Sequence, residues 1–210
     1  MPRSAHPELP LPDKIVASLE RLSRVFRILL WDLATETGLS PIQIQFLLYL
    51  RDQPRAHCRV SVLAREYGLT RATVSDAVST LARKGLLDKQ GSETDKRVAH
   101  LLLTDAGRKL ARKFDGWQGR MTEKVRGFDP ETLGTVFLFL QETIIGLQRD
   151  GTVARAHMCL GCEHFRPNAS GDPLRPHLCA LTGTPLGVPD LKVDCPIHRP
   201  RNGPAHRLRR

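Results

Sequence analysis

Between Asp13 and Thr37 the apolar residues Ile15, Leu19, Leu22, Phe26, Leu29 and Leu33 step alternately by four and three, which predicts one long helix carrying a heptad seam. Ser40 before Pro41 marks the next start, with serine as cap and proline in the first turn, and Ile44, Leu47 and Leu48 on the inner side. The run "SVLAREYGLTRATVSDAVSTLARKGLL" reads as a helix ending at Gly68, a tight turn, and a second helix capped by Thr70 and closed by Gly85. That is a helix-turn-helix. Two β-prone runs follow, Leu86 to Lys89 and Val98 to Leu103, around the polar loop "QGSETDKR". They predict a hairpin, placed where a wing would be.

Thr104 or Asp105 caps a further long helix carrying Ala106, Leu110, Phe114, Trp117, Met121 and Val125. Pro130 opens another, with Leu133, Phe137, Leu140, Ile144 and Leu147 spaced four, three, four, three. These seams exceed what one small winged unit can cover, which predicts a homodimer. Beyond Gly151 the pattern fails. From His157 to Pro200 there are seven prolines, four glycines and a single aromatic residue, Phe165. A segment of about 40 residues is below the size at which an apolar core alone holds a fold, so it is expected to be irregular, and either stapled or disordered.

The fold class expected is mainly α with a small β-wing: a winged helix-turn-helix flanked by long dimerisation helices, plus an irregular metal-stapled C-terminal segment. The divisions are an N-terminal dimerisation helix (13–40), a winged helix-turn-helix (41–104), C-terminal dimerisation helices (105–150), a four-cysteine module (157–200) and a basic tail (201–210).

Composition narrows the function. With 40% hydrophobic and 26% charged residues the chain is an ordinary globular protein, and a net charge of +10 predicts attraction to a polyanion, nucleic acid before a membrane surface. No apolar run approaches the roughly 18 to 20 residues of a spanning helix, and the N-terminal stretch lacks the apolar core of a secretory signal; a cytoplasmic protein with no membrane partner is expected. Thiols there stay reduced, so clustered cysteines point to metal before disulfides. Cys58 stands alone and reads as a small buried apolar residue.

On a helical wheel of the Thr70 to Lys84 segment, Val74, Ala77, Val78 and Leu81 share one side, while Ala72, Ser75, Asp76, Ser79 and Arg83 share the other, with Arg71 and Thr73 beside its N-terminal end. Small polar and cationic groups there suit a major groove. Arg71 can pair with a guanine edge or a phosphate, and Ser75 and Ser79 with either.

The run from "LSPIQIQFLLYL" through the helix-turn-helix to "DKRVAHLLLTDAGRKL" resembles MarR-type winged-helix transcriptional regulators, over roughly Asp13 to Asp150. The resemblance implies a dimer joined through its terminal helices and bound to double-stranded DNA, a pseudo-palindromic operator, with recognition helices in successive major grooves and wings on the minor grooves. It makes Arg97 the minor-groove arginine and Asp95 the carboxylate that orients it, with Lys96 between them. Asp76 departs from the pattern: phosphate repels it, so it either accepts from a cytosine amino group or holds Arg71 or Arg83.

Cys159, Cys162, Cys179 and Cys195 have the spacing C-x2-C-x16-C-x15-C. Structural zinc usually takes two C-x2-C knuckles, whereas an iron-sulfur cluster accepts thiolates from scattered loops, and a ligand followed by proline, as at Cys195-Pro196, echoes ferredoxins. A [4Fe-4S] cluster is the leading reading; Zn2+ and an unmetallated thiol switch stand as alternatives. His157, His164, His177 and His198 lie near the cysteines and could replace a ligand, but each reads first as a surface residue or a neighbour of the ligands. A cluster would sense redox state, oxidant or iron, and its loss would reorder the module, shift the adjoining helix and change the spacing of the recognition helices. No G-x-G-x-x-G after a strand, P-loop or nucleophile elbow occurs, so an electron-transfer enzyme is the weaker reading. A zinc-stapled module recruiting a partner protein, or a regulator answering a small ligand, is the other.

Overall fold

Helix α1 (Leu11–Thr37) runs without interruption and stops at Gly38, whose φ of 62° lets its N–H close on the Ala34 carbonyl at 2.9 Å. The computed structural model describes residues 9–91, 99–153, 156–201 and 208. Helix α2 (Pro41–Asp52) starts at Ser40, whose N–H donates to the Gln43 side chain at 3.0 Å. Helices α3 (Val60–Glu66) and α4 (Arg71–Arg83) form the helix-turn-helix, and the Thr70 hydroxyl caps α4 by accepting from the Thr73 N–H at 3.1 Å. Strands β1 (Leu87–Gly91) and β2 (Ala99–Leu103) pair antiparallel, Leu87 opposite Leu103 and Gly91 opposite Ala99. Ile44, Phe46, Leu47, Leu63, Val74 and Leu81 are fully buried in the core beneath them.

The long helix expected after Thr104 is instead two. Helix α5 (Asp105–Lys113) and helix α6 (Gly119–Arg126) are separated by a turn in which Gly116 takes a φ of 74°. The apolar spacing runs through the break because residues on both sides of it turn inward: Phe114 is buried, and the Trp117 ring meets Phe26 of α1 edge-on at 6.0 Å. Helix α7 (Pro130–Arg149) follows, its first turn capped by the Asp129 carboxylate, which accepts from the Thr132 N–H at 2.9 Å.

The C-terminal segment is mostly turns and loops, as expected, but they are built around a small sheet that was not expected. Strands β3 (Phe165–Arg166), β4 (His177–Cys179) and β5 (Thr184–Leu186) make an antiparallel sheet in the order β3-β4-β5. Met158, Leu160, Phe165, Leu186 and Leu191 form a second core that includes Ile145 of α7, so the segment is docked on that helix. Strands of two or three residues are too short to show a period of two, and Pro185 lies within one of them.

One turn from Ile145 on α7, Gln141 is 1% exposed, and neither its amide nitrogen nor its oxygen has a partner among the described residues. A buried unsatisfied polar group costs about 1–3 kcal/mol. Gln141→Leu is therefore expected to stabilise the docked segment by about 1–3 kcal/mol, measured as slower limited proteolysis of residues 156–201. A destabilised variant would show that the amide has a bonding role.

Large apolar side chains stay in the open on the outer helices, among them Val16, Ile28 and Trp31 of α1 and Val136 and Phe139 of α7. No helix among the described residues is long and apolar enough to cross a membrane.

Candidate nucleic-acid interface and cysteine centre

Helix α4 divides as its wheel predicts. Val74, Val78 and Leu81 are buried, Arg71, Ala72, Thr73 and Asp76 are exposed, and Ser75 and Ser79 are half-buried. The Thr73 and Thr70 hydroxyls are 2.9 Å apart, so part of Thr73's bonding capacity is spent on the cap. Among the described residues Asp76 pairs with neither Arg71 nor Arg83; Arg83 donates to the Thr80 hydroxyl at 3.0 Å instead. Asp76 thus remains an exposed acceptor on the outer face. Asp95, Lys96 and Arg97 lie outside the described residues.

Lys89, the only basic residue of β1, was not among the sequence candidates. Its Nζ donates to Ser79 Oγ at 3.0 Å, which places a cation beside the outer face of α4. Its position in the strand directly after the recognition helix was the available signal. Behind the wing, residues 53–58 hold both strands. Arg55 donates to Gln90 Oε1 at 2.8 Å, the Arg55 carbonyl faces His100 Nδ1 at 3.1 Å, and the Leu101 N–H donates to the Cys58 carbonyl at 2.8 Å. Cys58 is buried, as expected, with its thiol against the Pro54 carbonyl.

The four sequence-predicted cysteines come together. Cys159, Cys162, Cys179 and Cys195 line one cavity with His164 and Phe165, and all are free thiols. Cys159 and Cys162 sit at the two ends of a tight turn closed by the Cys162 N–H on the Cys159 carbonyl at 3.0 Å. Cys179 ends β4, where the Gly183 N–H donates back to its carbonyl at 2.8 Å. Cys195 is anchored by its own N–H on the His157 carbonyl at 2.8 Å. Two of the sulfurs also receive donors. The Lys192 N–H points at Cys159 Sγ at 3.2 Å, although burial still pushes that thiol up from its ordinary pKa. Burial acts the same way on Cys179, but the Thr182 hydroxyl and the N–H groups of Thr182 and Leu181 outweigh it and hold the thiol below its ordinary value.

Among the described residues, no three His, Cys, Asp or Glu side chains converge in a way that would hold a single metal ion. The thiols surround a space instead of meeting at a point. A groove lined by Arg175, Thr182, Asp190 and Lys192 reaches Cys159, Cys179 and Cys195 from outside, whereas Cys162 lines the inner cavity and not this groove. Of the nearby histidines, His164 lines the cavity. His177 is buried against Phe165 with ring centroids 5.3 Å apart, and burial lowers its pKa. His157 and His198 stand at the junction with the winged unit, their rings 5.3 Å apart.

Residues 37–98 match a family profile described as the MarR family. None of the curated proteins matches the chain. Among solved structures, a MarR protein from Peptoclostridium difficile superposes with a TM-score of 0.59 at 23% identity, covering 70% of this chain and 97% of that one. The S. aureus MepR–DNA complex gives 0.57 at 20%, covering 67% and 100%. Streptococcus pneumoniae FabT in complex with DNA gives 0.54 at 25%, covering 64% and 98%. The chain thus spans nearly the whole of these proteins and extends beyond them.

Proposed function

We propose that this chain is a MarR-type transcriptional regulator that binds double-stranded DNA as a homodimer, and that its four cysteines hold a [4Fe-4S] cluster whose state sets operator binding. The winged fold, with the exposed polar face of α4 and Lys89 set against Ser79, carries the first part. Two of the neighbouring structures are themselves DNA complexes. Uncovered apolar residues on α1 and α7 give a second copy a surface to bury, and two-fold symmetry then suits a pseudo-palindromic site with half-sites about 34 Å apart.

The observation that carries the cluster is the placement of all four thiols around one cavity. A tetrahedral zinc needs them to converge at about 2.3 Å from one point, whereas a cubane takes one thiolate on each of four irons and needs them spread around it. Backbone N–H donors at Cys159 and Cys179 suit sulfurs that carry negative charge. Cys159, Cys162, Cys179 and Cys195 would hold the group, which when bound supplies redox and oxidant-sensitive chemistry. This chain's part is to shield Cys162 while leaving the other thiols open to the groove.

Anaerobic purification followed by an absorbance spectrum and iron, sulfide and zinc analysis tests the reading. Iron and sulfide with a broad band near 400 nm, on the order expected for a cubane, are the expected result. Stoichiometric zinc in a colourless sample would replace the cluster with a structural clasp.

The DNA face has its own expected results. Lys89→Ala and Arg97→Ala should weaken binding to all sequences and lower the salt slope by about 1 each, whereas Arg71→Ala or Ser75→Ala should change preference among operators by about 1–3 kcal/mol. Salt titrations on a panel of operators separate the two behaviours, and unchanged slopes for Lys89→Ala and Arg97→Ala would remove the wing from the interface.

A further inference from the structure

The cysteine module touches the winged unit directly as well as through α7. The Gln53 amide donates to Asp194 Oδ2 at 2.6 Å, and the His57 ring stacks on His157 with centroids 5.8 Å apart. Both module residues are tied to the cysteine centre by the main chain. Asp194 precedes Cys195, whose N–H donates to the His157 carbonyl at 2.8 Å. His157 Nδ1 also lies 3.4 Å from Asp194 Oδ1, which closes the group on itself. On its other side the same 53–58 corner is bonded to both wing strands through Arg55 and Cys58. Strand β1 in turn lays Lys89 on Ser79 of α4.

We infer that the 53–58 corner is the element through which the cysteine centre positions the wing, with Gln53 and His57 as its positioning residues. The inference rests on the cluster reading above, and it names a route to the DNA face that bypasses helix α7. When Cys195 loses its bound group, its loop is freed, and Asp194 moves with it. The hydrogen bond from Gln53 to that carboxylate is charge-assisted and directional, so a shift of about an ångström breaks it. The corner then loses its outer support while keeping its bonds to β1 and β2, and any displacement passes to the wing as a body.

The test uses the full-length protein, cluster-loaded and after chelation, in wild-type and Gln53→Ala/His57→Ala forms. Hydrogen exchange at the wing amides, Leu101 above all, is read beside operator affinity. In the wild type, cluster removal is expected to speed Leu101 exchange at least about tenfold and to change operator Kd about tenfold. The double variant should keep its iron while its two forms agree within about twofold. Gln53→Glu, which sets like charges face to face, should give the loaded protein the wing exchange of the cluster-free form. Equal Leu101 exchange in the two wild-type forms, or a double variant that responds like the wild type, overturns the inference. A wild-type protein without iron overturns the cluster reading and the inference with it, and the iron analysis tells the two failures apart.

Discussion

Gly107→Ala is expected to destabilise the winged unit by about 3 kcal/mol or more. A β-carbon on Gly107 would stand 2.0 Å from the Leu86 carbonyl oxygen and 2.9 Å from its carbon, and both are backbone atoms. That peptide cannot step aside. The Leu86 N–H donates to the Leu81 carbonyl at 3.0 Å, and the Leu86 carbonyl accepts from the Thr104 N–H at 3.2 Å. Thr104 is itself fixed, its hydroxyl donating to the Gly85 carbonyl at 2.7 Å and accepting from the Gly107 N–H at 3.0 Å. The "LTDAG" signature is therefore the point where α5 crosses the junction of recognition helix and wing at backbone contact. Against a net stability of about 5–15 kcal/mol such a loss is large. Urea unfolding followed by circular dichroism measures it, with Gly119→Ala as the matched control, since a β-carbon there meets nothing within 4 Å. A cost below about 1 kcal/mol for Gly107→Ala would mean that the junction yields.

The second large effect belongs to the cysteine centre. Cys179→Ser keeps the size of the side chain but removes a thiolate. Since four-ligand structural metal sites bind with about 10–16 kcal/mol, one ligand's share is several kcal/mol. On the proposed cluster reading the variant is expected to lose most of the iron and sulfide, and the β4–β5 hairpin, which Cys179 anchors through Gly183, should become open to protease. The winged unit has a separate core and should stay resistant. Cys58→Ser is the control: that cysteine is buried in the winged core, so its loss should lower stability and leave metal content unchanged. Full iron retention in Cys179→Ser would strike that residue from the ligand set.

Much of this was legible in the residues because caps are local. Ser40, Thr70, Thr104 and the glycines at 38, 68 and 85 each state where a helix starts or stops, and the chain obeys them. Gly116 carries the same message, but the apolar steps at Phe114 and Trp117 continued across it and hid the break. The three-stranded sheet escaped notice because its strands are shorter than any period, although four cysteines in a segment too small for its own apolar core pointed to one shared site, and they line one cavity. The corner between the two parts had no local signature at all. Gln53 and Asp194 are 141 residues apart in the chain, and neither residue type declares a partner at that distance.

The buried Gln141, unpartnered among the described residues, has a consequence in time. A contact that buries two polar groups without a partner among the described residues opens at lower free energy than one in which both are hydrogen-bonded. Detachment from α7 is thus a sub-global event, and its rate is not tied to that of complete unfolding. The C-terminal segment can lift and settle many times within the lifetime of one folded winged unit. Under the proposed function, a signal read there need not wait for the rest of the protein to come apart, and the outer face of α4 can respond while the winged core stays shut.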